Sequence, residues 1–144
     1  MTYEYLRSYT HLMPSPRKPT RAELEILRVL WKEGPCSVRQ VHDILSAKRP
    51  FAYTTTLKTV QIMQEKGFVL REEIGRQHVY RARHREHDTK RRLVGDLLDR
   101  AFGGSLPDLV MQALASQRAS PEDLKEIRRL LAAEQKKHQE TDHD

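Results

Sequence analysis

The sequence predicts a mainly α-helical chain with one small β-hairpin, organised as an N-terminal module of three helices and the hairpin followed by a C-terminal helical region. Three observations carry this expectation. Two helix starts in the first third have capping-box spacing, T-R-A-E at residues 20–23 and S-V-R-Q at residues 37–40. The apolar period changes from helical to extended at Phe68, and two strand-like runs flank a Gly-Arg pair. From Asp88 onward apolar residues return at helical spacing, interrupted at Gly103-Gly104 and restarted at Ser120-Pro121.

Residues 1–19, MTYEYLRSYTHLMPSPRKP, show no sustained period and end in spaced prolines, the pattern of a flexible arm. Met13, directly before PSPRKP, is a second candidate start of translation. Thr20 and Glu23 then supply the first capping box. Leu24, Leu27, Leu30 and Trp31 mark a buried helix face that Gly34-Pro35 ends. Ser37 and Gln40 cap a second helix with Val38, Val41, Ile44 and Leu45 inward, closed by Pro50.

A third helix lies within AYTTTLKTVQIMQEKG. At 100° per residue, Tyr53, Thr56, Leu57, Val60, Met63 and Gln64 share one side, and Thr54, Thr55, Lys58, Thr59 and Ile62 share the other. Gly67 is the expected C-cap. FVLREEI and QHVYRA, joined by Gly75-Arg76, read as a hairpin rich in β-branched and aromatic residues. Three helices followed by such a hairpin make a winged helix-turn-helix over residues 20–84. Residues 85–135 form the helical region, with Leu93, Leu97 and Leu98, then Leu109 and Leu114, then Leu124, Ile127 and Leu131 on its apolar faces. Residues 136–144, rich in Lys, His, Gln and Asp, are expected to fray.

The net charge of +6 is unevenly spread. Residues 1–84 hold 15 Lys+Arg against 8 Asp+Glu, and residues 85–144 hold 11 against 12, so the excess lies entirely in the first module. A local basic field points to a polyanion, nucleic acid before a lipid surface, since no lipid-binding amphipathic stretch accompanies it. No apolar run approaches the roughly 18 residues needed to span a bilayer, and the start lacks the order of a signal peptide. The single Cys36 forms no internal disulfide and no CxxC clamp. The chain is therefore read as cytoplasmic.

In a helix-turn-helix the second helix of the pair enters the major groove, where hydroxyls, amides and cations meet base edges and phosphates. A groove-facing helix cannot carry a carpet of glutamates. This accounts for Thr54, Thr55, Lys58, Thr59 and Ile62 on the outer side of helix 3, with Thr54 and Thr55 near the N-terminal end where the helix dipole favours an anion. Alone, the threonine run is better explained by capping and ST-turn chemistry, and its position between a capped helix pair and a hairpin bearing Arg71, Arg76 and Arg81 turns the reading toward DNA. Arg76 at the hairpin tip reaches a phosphate or the minor groove, whereas Arg71 and Arg81 can simply solvate strand faces. The C-terminal helices are too few and too short to bury their apolar faces well within one chain, so a second copy is the natural partner. Such a homodimer reads a two-fold symmetric site in double-stranded DNA.

Other chemistries are poorly supported. H-R-E-H-D, residues 84–88, places His84, Glu86, His87 and Asp88 together with His78 nearby, but the spacing is not HExxH and the position is a polar strand-to-helix junction. No catalytic residue, metal site or cofactor is therefore expected. The competing reading is a winged-helix module that binds protein instead of DNA.

PTRAELEILRVLW, VRQVHDIL, AYTTTLKTVQIMQEKGFV and GRQHVYRA, followed by LLDRAFGGSLPDLVMQAL and SPEDLKEIRRLL, resemble the penicillinase and methicillin-resistance repressor family in order and spacing, from about Pro19 to Ala132. The resemblance implies a homodimeric winged-helix repressor on palindromic operator DNA. It also implies release through a membrane-bound sensor metallopeptidase, in some branches by a cut in the region comparable to residues 101–105. Lys58 and Ile62 stand where β-lactam-responsive members more usually carry threonine and arginine. The C-terminal cysteine cluster of the copper-responsive members is missing.

Overall fold

The computed structural model describes residues 18–116 and 118–142. The arm expected at residues 1–19, with Met13, lies almost wholly outside them. The described chain is mainly helical with one two-stranded antiparallel hairpin: α1 (Arg21–Glu33), α2 (Val38–Ser46), α3 (Tyr53–Lys66), β1 (Val69–Ile74), β2 (Gln77–Ala82), α4 (Glu86–Phe102), α5 (Leu106–Ser116) and α6 (Pro121–Thr141). The described residues divide into two compact units, with the division between Val94 and Gly95, inside α4.

The first unit is a winged helix. Thr20 accepts the backbone N–H of Glu23 and starts α1, while Ser37 and Gln40 form a full reciprocal capping box on α2. The core gathers Ile26, Leu27, Val29 and Leu30 from α1, Val38 and Val41 from α2, Val60 and Met63 from α3, and Phe68, Val69 and Tyr80 from the hairpin. Each such side chain contributes roughly 1.5 to 3 kcal/mol of burial. Leu24 and Trp31, expected on the inner face, are half-buried at its edge, and the Trp31 indole donates to the His84 carbonyl at 3.0 Å. Ile44 departs from expectation and is exposed. It sits about 110° around α2 from the stripe formed by Val38, Val41, His42 and Leu45, because His42 takes the inward position instead.

α3 ends in a Schellman turn. Phe68 N–H bonds the Met63 carbonyl at 2.9 Å and Gly67 N–H bonds that of Gln64 at 3.1 Å, with Gly67 at φ 82°. The hairpin follows, its register pairing Val69 with Ala82 and Ile74 with Gln77. Gly75 at φ 65° precedes Arg76, whose φ is not positive, the sign pattern of a II′ turn. Cys36 adds a second backbone partner to β2 through paired bonds with Tyr80 of 3.0 and 2.7 Å, which ties the α1–α2 connection to the wing.

In the remainder, Gly103 and Gly104 at φ 54° and 84° separate α4 from α5, and Ser120 with Asp123 forms a reciprocal capping box on α6 with Pro121 at its start. α6 runs on to Thr141, through most of the stretch expected to fray. The pair of Lys137 with Glu134 at 3.3 Å and the bond of the Thr141 hydroxyl to the Lys137 carbonyl at 2.8 Å support its last turns. None of α4, α5 or α6 contains a buried residue.

Candidate nucleic-acid interface

The side of α3 that turns inward is fixed by Thr56, Val60 and Met63, all buried, with Tyr53, Leu57 and Gln64 half-buried beside them. The opposite side is therefore presented outward. Thr54, Thr55, Lys58 and Ile62 are exposed, and Thr59 is half-buried. The Thr59 hydroxyl donates to the Thr55 carbonyl at 2.8 Å, so it is engaged within the helix. The side chains of Thr54, Thr55 and Lys58 make no hydrogen bond or ion pair among the described residues.

The capping explanation of the threonine run does not apply. The N-cap of α3 is Ala52, which offers no side-chain bond, and Thr56 is committed instead to buried His42, its hydroxyl 2.8 Å from Nδ1. The first-turn N–H groups of α3 are thus uncapped by any side chain, unlike those of α1 and α2. An open helix start beside two exposed hydroxyls is suited to a phosphate oxygen.

Two residues that sequence reasoning passed over belong to the same surface. Gln61 is exposed and lies angularly next to Thr54 and Lys58, and an amide there can donate to and accept from an adenine edge. Arg39, exposed on α2, holds its guanidinium 4.2 Å from the centre of the Tyr53 ring, which fixes a cation beside the start of α3. The helical period would have placed Gln61, and the pairing of Arg39 with Tyr53 depends on the crossing of α2 and α3. The outer face is not free of acid throughout, since Glu65 is exposed in the last turn, about 16 Å along the axis from Thr54. On the wing, Arg76 occupies the exposed tip, Arg81 is neutralised by Glu72, and Arg71 is exposed.

Three of the five residues considered for a metal are otherwise engaged: Asp88 with Arg85 at 3.2 Å, Glu86 with Lys90 at 2.8 Å, and His87 with Arg91 at 3.3 Å. Among the described residues no group of three His, Cys, Asp or Glu side chains could hold a metal ion. Burial, and then the nearby Glu33 carboxylate, push the Cys36 thiol up from its ordinary value, which keeps it protonated and weakly reactive.

A winged helix with this outward face matches the model of the penicillinase repressor family over residues 19–133. The chain belongs to the penicillinase repressor family. The transcriptional regulator BlaI of Mycobacterium tuberculosis is 36% identical over 80 residues, which covers 55% of this chain and 58% of that protein. The penicillinase repressor of Bacillus licheniformis is 26% identical over 110 residues, 76% of this chain and 86% of that protein. The methicillin resistance regulatory protein MecI of Staphylococcus aureus is 19% identical, again over 76% of this chain and 89% of its own length.

In this family member the residues expected at a dimer interface are unburied in the single chain. Leu97, Leu114, Leu124 and Leu131 are exposed, and Leu93, Leu98, Leu109 and Ile127 are half-buried. Leu93 belongs to the first unit, where it lines a recess with Leu24 and Trp31 of α1. Met111, which the sequence pattern did not single out, is exposed on the same helix as Leu114. No helix among the described residues is long and apolar enough to cross a membrane.

Proposed function

We propose that this chain is a cytoplasmic, homodimeric transcriptional repressor that binds double-stranded operator DNA sequence-specifically. α3 lies in the major groove, and the operator is two-fold symmetric. The observation that carries the reading is the outward face of α3, where Thr54, Thr55, Lys58, Gln61 and Ile62 are exposed together, with Thr54 and Thr55 in a first turn that no side chain caps. Hydroxyls there donate to phosphates, Lys58 adds a cation, and Ile62 sets an apolar surface against a thymine methyl. Arg76 extends the contact from the wing. Thr59 contributes through its methyl, its hydroxyl being used within the helix.

The unburied leucines of the C-terminal helices support dimerisation. Half a dozen apolar side chains pooled between two copies offset the cost of association, and two reading helices then meet half-sites about one helical turn or a multiple apart. Family membership supports repression as the outcome of binding. Release through a membrane-bound sensor metallopeptidase rests on the sequence resemblance alone.

The test is selection of genomic DNA fragments with purified protein at about 0.15 M salt, where non-specific binding is partly screened. Wild type should enrich a two-fold symmetric motif upstream of a few genes, and Lys58→Ala should lose it. No enriched motif with wild type would defeat the repressor reading in favour of a winged helix that binds protein.

A further inference from the structure

On the side of the first unit formed by α1, α2 and the α2–α3 connection, a recess of about 490 Å³ opens to solvent. This volume falls in the range of small-molecule sites, roughly 300 to 1,000 Å³. Its apolar surface comes from Val29 of α1, Ile44 and Leu45 of α2, and Phe51 of the connection. Ile44 is the residue that left the core, and its exposure is accounted for if this surface takes an apolar body.

The rim is cationic. Arg28 and Lys32 project from α1, and Lys48 and Arg49 from the connection, against two acids, Glu25 and Glu33. None of the four cations forms an ion pair among the described residues. An apolar floor under an excess of two unpaired positive charges selects an organic anion with a hydrophobic body, such as an aromatic or medium-chain carboxylate. A neutral hydrophobe would leave the cations unused, and a free phosphate would leave the floor wet.

The recess also adjoins the reading helix. Phe51, one of its walls, meets the ring of His42 edge-on at 5.1 Å between centroids, and His42 bonds Thr56 of α3 at 2.8 Å. A ligand resting on Phe51 is thereby one packed side chain from the residue that seats α3. We infer that this recess is a binding site for an apolar organic anion, and that its occupancy changes the affinity of α3 for DNA. The coupling half rests on the repressor reading, whereas the binding half does not.

The test uses the full chain and 2-naphthoate as probe, with 2-naphthalenemethanol as its neutral counterpart. Calorimetric titration should show saturable binding of one naphthoate per chain, weakened about tenfold or more by Lys48→Glu/Arg49→Glu and for the alcohol. Both substitutions lie in an exposed turn, so the fold is retained. Saturating naphthoate should then shift the affinity for the selected operator by about fivefold or more. Absence of saturable binding, equal binding by the charge-reversed variant, or equal binding of the alcohol would overturn the site. Binding without any shift in operator affinity would overturn the coupling. Because the titration contains no DNA, a protein that failed to bind any operator would defeat the repressor reading while the site was still judged on its own.

Discussion

Lys66, at the end of α3, places its ammonium 2.6 Å from Oε1 of Glu23 in the first turn of α1. The lysine side chain is 32% exposed, the glutamate side chain 4%, and Oε2 of Glu23 is buried with no partner among the described residues. The C-terminal end of α3 is thus tied to the first turn of α1, 43 residues away in sequence.

Breaking this pair from the lysine side leaves a buried carboxylate without a counter-charge. Such losses cost about 3 to 5 kcal/mol in fully buried pairs, and about 2 to 3 kcal/mol is expected for Lys66→Met because the lysine is partly solvated. Glu23→Leu/Lys66→Met should regain most of that loss, since the unpaired charge is then absent. Urea unfolding followed through Trp31, the single tryptophan, reads both variants. A change of less than about 0.5 kcal/mol in Lys66→Met would mean that the pair is not holding α3 in place.

Thr56 and His42 make the corresponding tie at the other end of α3, and both are buried. Thr56→Val keeps the shape but strands the Nδ1 of His42, at a cost of about 1 to 3 kcal/mol. Thr56→Ser keeps the hydroxyl and should lose less than Thr56→Val in the same unfolding experiment. A loss in Thr56→Ser as large as that in Thr56→Val would mean that the hydrogen bond contributes no more than the threonine methyl does.

These two ties explain where the sequence was legible and where it was not. The sidedness of α3 was readable because a 3.6-residue period is local, and Thr56, Val60 and Met63 are buried as it requires. The hairpin was readable locally too, from two runs rich in β-branched and aromatic residues around a Gly-containing two-residue turn. Glu23 was expected to close a capping box with Thr20, a contact three residues away. Its carboxylate turns instead to Lys66, which only the packing of α1 against α3 brings within reach. Ile44 was assigned inward from spacing alone, and His42, a residue type usually placed outside, occupies the core position because Thr56 satisfies it. Arg39 against Tyr53 is likewise a product of helix crossing.

Lys58 is exposed and its side chain is unpaired among the described residues, so its removal disturbs little in the fold. If it meets a phosphate, Lys58→Ala should weaken binding to all sequences and flatten the plot of log affinity against log salt by about one unit of slope. Thr55→Ala should cost about 1 to 3 kcal/mol in operator binding with the winged helix intact. Electrophoretic or polarisation titrations across a salt series measure both. Unchanged affinity in both variants would remove α3 from the reading role.

Burial raises the Cys36 thiol above its unfolded value, and the Glu33 carboxylate adds to the shift. A thiol of this kind stabilises the fold while protonated. Its contribution is complete below the unfolded pKa, about 8.5, and is lost as pH rises through the folded value. Stability of wild type should therefore fall more steeply above pH 8.5 than that of Cys36→Ala. The native thiol should also react with a disulfide reagent far more slowly at pH 8 than the urea-unfolded thiol. Equal rates would place Cys36 at the surface.

Ile127 sits half-buried on α6, between exposed Leu124 and Leu131 at helical spacing. No residue of that helix is buried in the single chain, so a charge at Ile127 has little to disrupt there. In a dimer it is different, because an aspartate facing a partner's apolar side chains must be desolvated without a counter-charge. Ile127→Asp should shift the molecule from dimer to monomer in sedimentation and leave the Trp31-reported unfolding of the winged helix nearly unchanged. Operator affinity should fall far more than stability does, since two half-sites are then bound independently instead of by one linked reader. A variant that remains dimeric would place the interface on another face of α4, α5 or α6. A monomer with wild-type operator affinity would show that a single winged helix is the reading unit.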